Sequence, residues 1–235
     1  MTAARRAHLE TVTVITWTWD IVVFLAGMAE TARVQALIAA GRRFYGRSWV
    51  LATSGNFSMV SSVSPLRLLI TQSGVHKGTL TAGQFLTIDA SGRVAGRRKA
   101  RPSAEAQLHV EIVQARGAGA VLHTHSVWST VLSERHAAAG GIAIQSLEML
   151  KGLDGVTTHT HREWVPIVEN DQDMIRLRGV VGHLLRDYPS IHGFLLRGHG
   201  LYTWGRTLAD AERHVETLEF LFQVIGERHE PDPHS

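Results

Sequence analysis

The chain has 235 residues, 44% of them hydrophobic, and a formal net charge of +3 at pH 7. This composition is typical of a globular protein that buries a sizeable core. Its basic residues are scattered apart from one cluster at 96–102, and no nucleic-acid-binding module is recognisable. The chain contains no cysteine, which excludes disulfides and thiolate chemistry and leaves its 14 histidines as the natural source of metal ligands.

The N-terminal segment, residues 1–27, does not fit the rest of the chain. Its apolar stretch is interrupted by Asp20 and is too short to span a bilayer, and no clear signal-peptide cleavage site follows it. We interpret it as an extension that is either disordered or the product of a mis-assigned start, with translation beginning at Met28. Residues 28–228 are then one predicted catalytic domain and residues 229–235 a tail. Without a targeting or spanning segment, we expect a cytoplasmic protein with no membrane partner.

The first elements of the predicted domain are a helix and a series of strands. The stretch after Met28 has the period of an amphipathic helix, with Leu37 and Phe44 among the residues on its apolar side. A Gly-Asn turn in "TSGNFSMVSS" leads into a strand, and "LRLLIT" predicts the next one. The segment "QFLTIDASGRVAG" predicts a strand, a Ser-Gly turn and a second strand.

The second half of the chain alternates between helices and strands. "PSAEAQLHVEIVQAR" predicts a helix that is capped by Ser103 and buries Leu108, Ile112 and Ala115. After the strand "AVLHT", the pattern predicts helices at "SVWSTVLSERHAA" and "DQDMIRLRGVVGHLLRDY", a short helix at "LEMLKG", and strands at "IAIQS" and "WVPIVE". "GFLLRGHGLYTWG" predicts a strand pair before a last helix capped by Thr207. Strands interleaved with helices predict a single layered α/β domain, but not its strand order.

Two histidines stand at the end of the strand in "AVLHTHS". Side chains two residues apart in a strand share a face, so we expect His123 and His125 to project side by side. Neutral imidazoles in that arrangement suit zinc and its first-row neighbours, although an ordinary hydrogen-bonded pair has the same pattern. His159 and His161 repeat the spacing in the polar stretch "THTHRE", where we expect a solvated loop or edge strand.

A third histidine, His199, lies between two glycines in "RGHG". Glycines allow the backbone to bend tightly or to approach another group closely. Alone, the motif fits a strand corner with a structural histidine. Together with His123 and His125 it predicts a three-histidine site, which leaves a fourth coordination position for water or substrate.

Two glutamates are candidates for proton transfer. Glu105 lies in the first turn of the helix after "RPS", and Glu148 lies between Leu147 and Met149. Apolar neighbours are expected to raise the pKa of Glu148 by desolvation, which suits acid–base work near neutral pH. Each glutamate also fits a plainer role, as a helix cap or the partner of an arginine. The turns "SGN", "SGVHKG" and "PS" offer backbone N–H groups and hydroxyls, which predicts a small phosphorylated substrate.

Four segments, "SGNFS", "PSAEAQLH", "GAVLHTHS" and "RGHGLYTWG", resemble the class II aldolase/adducin superfamily. The likeness extends from about Met28 to Glu227. Within the superfamily, "EMLKG", "VPIVENDQD" and "RGHGLYTWG" are most similar to the branch of methylthioribulose-1-phosphate dehydratases. The resemblance implies a single three-layer α/β/α domain with a mostly antiparallel central sheet. It also implies a homotetramer with active sites at subunit contacts.

The resemblance assigns roles to residues as well. It implies one zinc ion per subunit, held by His123, His125 and His199, and an acid–base role for Glu148. Glu105 falls where the aldolase relatives keep their own catalytic glutamate. The positions with which the superfamily grips the substrate phosphate match Asn56, Ser73, Gly74 and Ser103.

The implied activity is the dehydration of 5-methylthio-D-ribulose 1-phosphate to 5-methylthio-2,3-dioxopentyl phosphate in methionine salvage. Zinc acts as a Lewis acid, a base removes the C3 proton, and an acid protonates the departing C4 hydroxyl, a step we assign to Glu148. One alternative is a class II sugar-phosphate aldolase or epimerase that uses the same zinc-enediolate chemistry. A remote alternative is a non-catalytic, adducin-like interaction module, in which we expect degenerate metal ligands.

Overall fold

The computed structural model describes residues 29–96 and 101–228. The predicted extension at 1–27 and the predicted tail at 229–235 lie outside the described residues. Within the described ranges, no helix is long and apolar enough to cross a membrane.

The described strands form one central sheet. They are β1 (Asn56–Val63), β2 (Leu66–Thr71), β3 (Phe85–Asp89), β4 (Ala120–Thr124), β5 (Gly141–Ile144), β6 (Glu163–Val168), β7 (Gly193–Leu196) and β8 (Gly200–Gly205). Their order across the sheet is β3-β2-β1-β4-β8-β7-β6-β5. Every neighbouring pair is antiparallel except β6 and β7, which are parallel.

Helices cover both faces of this sheet. They are α1 (29–46), α2 (Ala106–Arg116), α3 (Val127–Arg135), α4 (Met174–Asp187) and α5 (Leu208–Glu227). Helices α2 and α4 enclose one apolar core against the sheet. Helix α1 and the start of α5 enclose a second core, and α3 with the rest of α5 encloses a third. The three-layer α/β/α domain with a mostly antiparallel sheet confirms the predicted fold class.

Strand β4 lies in the middle of the sheet, and its alternation orients the site described below. Val121 packs in the core under α2 and α4, whereas Ala120 and Leu122 pack in the core under α1 and α5. Because successive side chains point to opposite faces, His123 continues the Val121 face and Thr124 continues the Leu122 face. The end of the strand therefore presents an imidazole on one side of the sheet and a hydroxyl on the other.

Three local expectations are wrong. Helix α2 begins directly after Glu105, which occupies the N-cap position, and the Ser103 hydroxyl instead accepts a hydrogen bond from the Glu105 N–H at 3.3 Å. Ala115 is exposed, because the buried side of α2 runs through positions 108, 109, 112 and 113. The strand expected after the Ser-Gly turn is reduced to an isolated bridge at Val94.

Candidate metal centre

Three imidazoles from separate parts of the chain meet at one point. His123 belongs to the end of β4, His125 follows it, and His199 lies in the turn between β7 and β8. The Nε2 atoms are 2.7 Å apart for His123 and His125, 3.1 Å for His125 and His199, and 3.3 Å for His123 and His199. Each ring therefore offers one ligand atom to a common position.

The pairing of β4 with β8 brings the third histidine to the other two. Thr124 pairs with Leu201 across these antiparallel strands, so continuing the register brings Gly200, the neighbour of His199, opposite His125. Gly200 permits this approach, since a Cβ atom there would lie 2.0 Å from the carbonyl oxygen of Thr124. The glycine expected to allow close backbone contact next to His199 does so at this position.

Backbone hydrogen bonds hold the ligand-bearing segments in place. The Thr130 hydroxyl on α3 shares its proton between the carbonyl oxygens of Ser126 at 2.9 Å and His199 at 3.2 Å. The N–H of His125 donates to the carbonyl oxygen of Trp49 at 2.7 Å. These bonds fix the main chain on both sides of the centre, so the rings are positioned before any ligand binds.

The surroundings of His123 leave its Nε2 free to act as a ligand. Its Nδ1–H donates to the carbonyl oxygen of Leu201 at 2.9 Å, which puts the lone pair on Nε2. The ring also stacks on Tyr202, with 3.9 Å between centroids. Burial, followed by the neighbouring imidazoles, lowers the pKa of His123 well below its usual range, and burial lowers the pKa of His125 to about 4. Both rings are therefore neutral, as metal binding requires.

The geometry and chemistry of this group fit a metal ion. Nitrogen ligands in a tetrahedral zinc site are about 3.3 Å apart when each lies about 2.0–2.1 Å from the ion, close to the 2.7–3.3 Å found between the Nε2 atoms. Within the described ranges, these three histidines form a group whose ligand atoms all lie within 4.8 Å of one another. Three protein ligands leave a position open for substrate or water.

The second H-x-H pair behaves differently. His159 and His161 lie in the loop before β6, as expected. His159 Nδ1 lies 3.4 Å from Glu148, whereas His161 Nε2 lies 2.9 Å from Glu163. The two rings contact different carboxylates, so the H-x-H spacing does not by itself create a metal site.

Glu105 lies directly against the three histidines. Its Oε1 is 3.2 Å from His199 Nε2, and its Oε2 is 3.7 Å from His123 Nε2. Asn56 Nδ2 donates to the same Oε2 at 2.6 Å. With its side chain only 16% exposed, this carboxylate is aimed at the position where a metal and its substrate would meet.

A buried histidine that the sequence analysis did not single out orients Asn56. Ser58 Oγ donates to Nδ1 of His109 at 2.8 Å, which leaves His109 Nε2–H to donate to Asn56 Oδ1. The Asn56 amide nitrogen must then point at Glu105. Burial lowers the pKa of His109 to about 3, so the ring stays neutral and keeps this arrangement. The signal was present in "PSAEAQLH", where His109 lies one helical turn after Glu105.

The residues predicted to grip phosphate line one cavity with the metal-centre residues. This cavity, of about 140 Å³, is bordered by Glu105 and His125. The predicted phosphate residues that line it are Asn56, Ser73, Gly74 and Ser103. Gly74 has a φ of +71°, a left-handed conformation that favours glycine and turns the loop around the cavity.

Lys77 is a second residue that the sequence analysis missed. Its side chain is buried, and Nζ donates to the carbonyl oxygens of Thr53 at 2.9 Å and Val75 at 2.7 Å. These bonds join the two loops that border the cavity. Burial lowers the pKa of Lys77 to about 8, against the opposing effect of Glu105. Its position in "SGVHKG" was the available signal.

Glu148 lies away from this group in the described contacts. It begins a short 3-10 helix, Glu148–Gly152, and its side chain is 71% exposed. It pairs with Lys151 at 2.5 Å and with His159 at 3.4 Å. The expectation of a pKa raised by desolvation is wrong, because the hydrogen bond from Lys151 lowers the pKa of this exposed carboxyl. The acid–base role of Glu148 stays a prediction.

Comparison with known proteins places the chain in a family. The family described as Class II Aldolase and Adducin N-terminal domain matches residues 35–225. The chain belongs to this family. Among curated class II aldolase relatives, a methylthioribulose-1-phosphate dehydratase from Methylococcus capsulatus is 44% identical over 84% of this chain and 94% of its own length. A protein of the same name from Pseudomonas aeruginosa is 47% identical over 80% of this chain and 91% of its own length.

Solved structures agree with the family assignment. YgbL from Klebsiella pneumoniae superposes with a TM-score of 0.72 at 22% identity, covering 86% of this chain and 92% of its own, which supports the fold. An L-fuculose-1-phosphate aldolase from Thermus thermophilus has a TM-score of 0.65 at 26% identity, covering 83% and 94%. The predicted membership of the class II aldolase superfamily, close to its dehydratases, is confirmed.

Proposed function

We propose that this chain is a hydro-lyase that removes water from 5-methylthio-D-ribulose 1-phosphate, giving 5-methylthio-2,3-dioxopentyl phosphate in methionine salvage. The observation that carries the proposal is the convergence of His123, His125 and His199 beside a polar cavity. It occurs in a chain 44–47% identical to proteins named methylthioribulose-1-phosphate dehydratase.

The proposed cofactor is zinc, held by His123, His125 and His199. A divalent cation bound there supplies Lewis-acid polarisation of the substrate oxygens at C2 and C3. The neutral imidazoles of His123 and His125 and the Nδ1–H bond from His123 to Leu201 support this ligand set.

The reaction needs one group that removes the C3 proton and one that protonates the C4 hydroxyl as it leaves as water. We assign the first step to Glu105, whose carboxylate lies 3.2 Å from His199 Nε2 and is oriented by Asn56. We assign the second to Glu148. Loss of water leaves an enol at C3, and its ketonisation completes the 2,3-diketone.

The phosphate group of the substrate is proposed to bind in the cavity beside Glu105. Asn56, Ser73, Gly74 and Ser103 surround it with amide, hydroxyl and backbone donors. This contact contributes positioning, because a phosphate anchored there holds the reacting carbons at the metal centre.

The cavity of one chain is small for the whole substrate, since pockets for molecules of drug size measure about 300–1,000 Å³ against about 140 Å³ here. Glu148 is exposed and pairs with Lys151 and His159 rather than with the metal-centre histidines. We propose that the protein is a homo-oligomer, a tetramer, in which Glu148 of one subunit completes the centre of its neighbour.

A sugar-phosphate aldolase is the second candidate. It is favoured by the position of Glu105 at the centre and by the likeness to the L-fuculose-1-phosphate aldolase structure. The two functions use the same metal but differ in the bond that breaks: C4–O in the dehydratase and a carbon–carbon bond in the aldolase.

The test is incubation of the metal-loaded protein with 5-methylthioribulose 1-phosphate. A dehydratase gives the diketone, which is followed by its ultraviolet absorbance and by a product lighter than the substrate by one water. Release of a two- or three-carbon fragment would support the aldolase. The variant Glu148→Gln separates them further, because it abolishes dehydration and is tolerated by an aldolase that depends on Glu105. Glu169→Gln, a surface carboxylate paired with Arg197, is the matched control.

A further inference from the structure

Behind the metal centre, a buried carboxylate contacts the residue between two of the proposed ligands. Thr124 separates His123 from His125 and points to the opposite face of the sheet. Its Oγ1 donates to Glu219 Oε1 at 2.9 Å. Glu219 comes from the middle of α5 and is 3% exposed.

The Ser126 side chain lies near the same carboxylate and acts to lower its pKa. The Ser126 oxygen is the N-cap of α3 and accepts the N–H of Ser129 at 3.0 Å, so its own proton is free for Glu219. Glu219 therefore binds the residue immediately before His125 and lies near the residue immediately after it.

The stability of the fold alone does not account for an acid at this position. The polar side chains beside it are two neutral hydroxyls, of Thr124 and Ser126, and within the described ranges the ion pairs do not include Glu219. Burial raises the pKa of Glu219 to about 7, which reflects the cost of keeping the carboxylate charged in the interior. The residue falls on the apolar side of α5, one turn after Val215, where a hydrophobic side chain would pack at lower cost.

We propose that Glu219 is a positioning residue of the metal centre, which holds Thr124 and Ser126 and thereby fixes the orientation of His125. Outer partners that orient ligating histidines strengthen metal binding without touching the ion. The inference rests on the metal site proposed above and adds to it the group that makes one ligand rigid.

The experiment measures metal affinity rather than turnover. Apoprotein is titrated with Zn²⁺ against a chromogenic chelator for the wild type, Glu219→Gln and Thr124→Val. We expect each variant to bind Zn²⁺ about tenfold or more weakly, the range found for partners of ligating histidines. Their effects are not additive in the double variant, because Glu219→Gln weakens and Thr124→Val removes the same hydrogen bond. Thr124→Ser keeps the hydroxyl and restores affinity.

The matched control is Glu216→Gln, the same chemical change on the same helix. Glu216 is half exposed and pairs with Arg47 at 3.6 Å, away from β4. We expect it to bind Zn²⁺ as the wild type does.

Thermal unfolding with and without Zn²⁺ separates positioning from a structural role. For Glu219→Gln we expect the apoprotein to keep its Tm while the increase in Tm on adding Zn²⁺ becomes smaller. An equal loss of Tm in both states, or Zn²⁺ affinity within twofold of wild type in both variants, would overturn the inference. If Glu219→Gln does not fold, Thr124→Val carries the test alone. A wild type that binds no Zn²⁺ would overturn the metal site itself and this inference with it.

Discussion

Oε1 of Glu105 lies 3.2 Å from Nε2 of His199, so the chain places its own carboxylate against the proposed metal ligands. The same side chain borders the cavity lined by the predicted phosphate residues. Glu105 is thus the residue where the candidate metal centre and the proposed phosphate cavity join, and a proton removed from C3 would be transferred to its carboxylate.

Replacing this carboxylate is expected to affect the chemical step. Glu105→Gln keeps the size of the side chain but removes the base, so kcat should fall by about 10²–10⁴-fold, the usual contribution of a general acid or base. Zinc content should stay at the wild-type level, because the three imidazoles supply the ligands. Steady-state kinetics on protein with measured metal content tests this, and a variant that keeps more than about a third of wild-type kcat would contradict the assignment.

Removing one imidazole is expected to remove the metal. His123→Ala leaves two ligands and opens the bond to the Leu201 carbonyl, so zinc should be lost on dialysis and turnover should disappear with it. Metal analysis of the purified variant is the measurement. His183→Ala, an exposed histidine on α4, is the matched control and should keep both zinc and activity. Full activity of His123→Ala after thorough chelation would end the metal hypothesis.

The grouping of the three proposed metal ligands can be predicted from the sequence because the features that bring them together are local. Alternation along β4 puts His123 and His125 at one strand end, and a glycine-flanked turn is typical of a close backbone approach. The groups that support the ligands follow no local rule. His109 bonds Asn56 across 53 positions and Thr124 bonds Glu219 across 95, so only the folded chain shows that they meet.

For Glu148, the neighbouring residues in the sequence predict a buried side chain, but the fold leaves it exposed. Leu147 and Met149 flank it in the chain, but the 3-10 helix that starts at Glu148 turns its carboxylate outward and places Lys151 beside it. Whether an acid is desolvated depends on what packs over it from elsewhere in the fold, which its neighbours in the sequence do not show.

If Glu148 acts on a neighbouring subunit, two inactive variants should complement each other. Oligomers assembled from equal amounts of Glu148→Gln and His123→Ala contain sites with an intact ligand set from one subunit and an intact acid from the next. Random assembly gives about a quarter of the wild-type activity, since each site needs two intact contributions. Activity that stays at the level of the parent variants would show that Glu148 acts within its own chain or not at all.

If the cavity binds the substrate phosphate, substitution of a residue that lines it should weaken substrate binding rather than slow the chemical step. Ser73→Ala removes one hydroxyl donor, and a hydrogen bond to a charged group contributes about 1.5–3 kcal/mol. We expect KM to rise about 10–100-fold with kcat nearly unchanged. Inhibition by inorganic phosphate should weaken in parallel, whereas a fall in kcat at constant KM would place Ser73 outside the phosphate site.

A pH-dependent contribution to stability is expected at the end of the sheet opposite the candidate metal centre. Glu163 is buried and its Oε1 lies 3.0 Å from Nδ1 of His192. Burial opposes the charge of each group. The hydrogen bond and the charge attraction between the two groups outweigh this effect of burial. The pKa of His192 is therefore raised from 6.5, and the pKa of Glu163 is lowered from 4.5.

The signs of these shifts define the pH range. A raised histidine pKa stabilises the fold below 6.5 and that contribution is lost as the pH rises through the folded value. A lowered carboxyl pKa stabilises the fold above 4.5 and that contribution is lost as the pH falls through the folded value. The pair therefore contributes most between these limits.

The variant Glu163→Gln removes the charge from this pair. At about pH 6 it should lower the free energy of unfolding by about 2 kcal/mol, the contribution of a charged hydrogen bond, and the difference from wild type should shrink toward about pH 9. Urea unfolding of both proteins in chelator at the two pH values measures it. Glu169→Gln, on an exposed pair with Arg197, should change little at either pH. A Glu163→Gln effect of equal size at both pH values would mean that His192 is not charged in the folded protein.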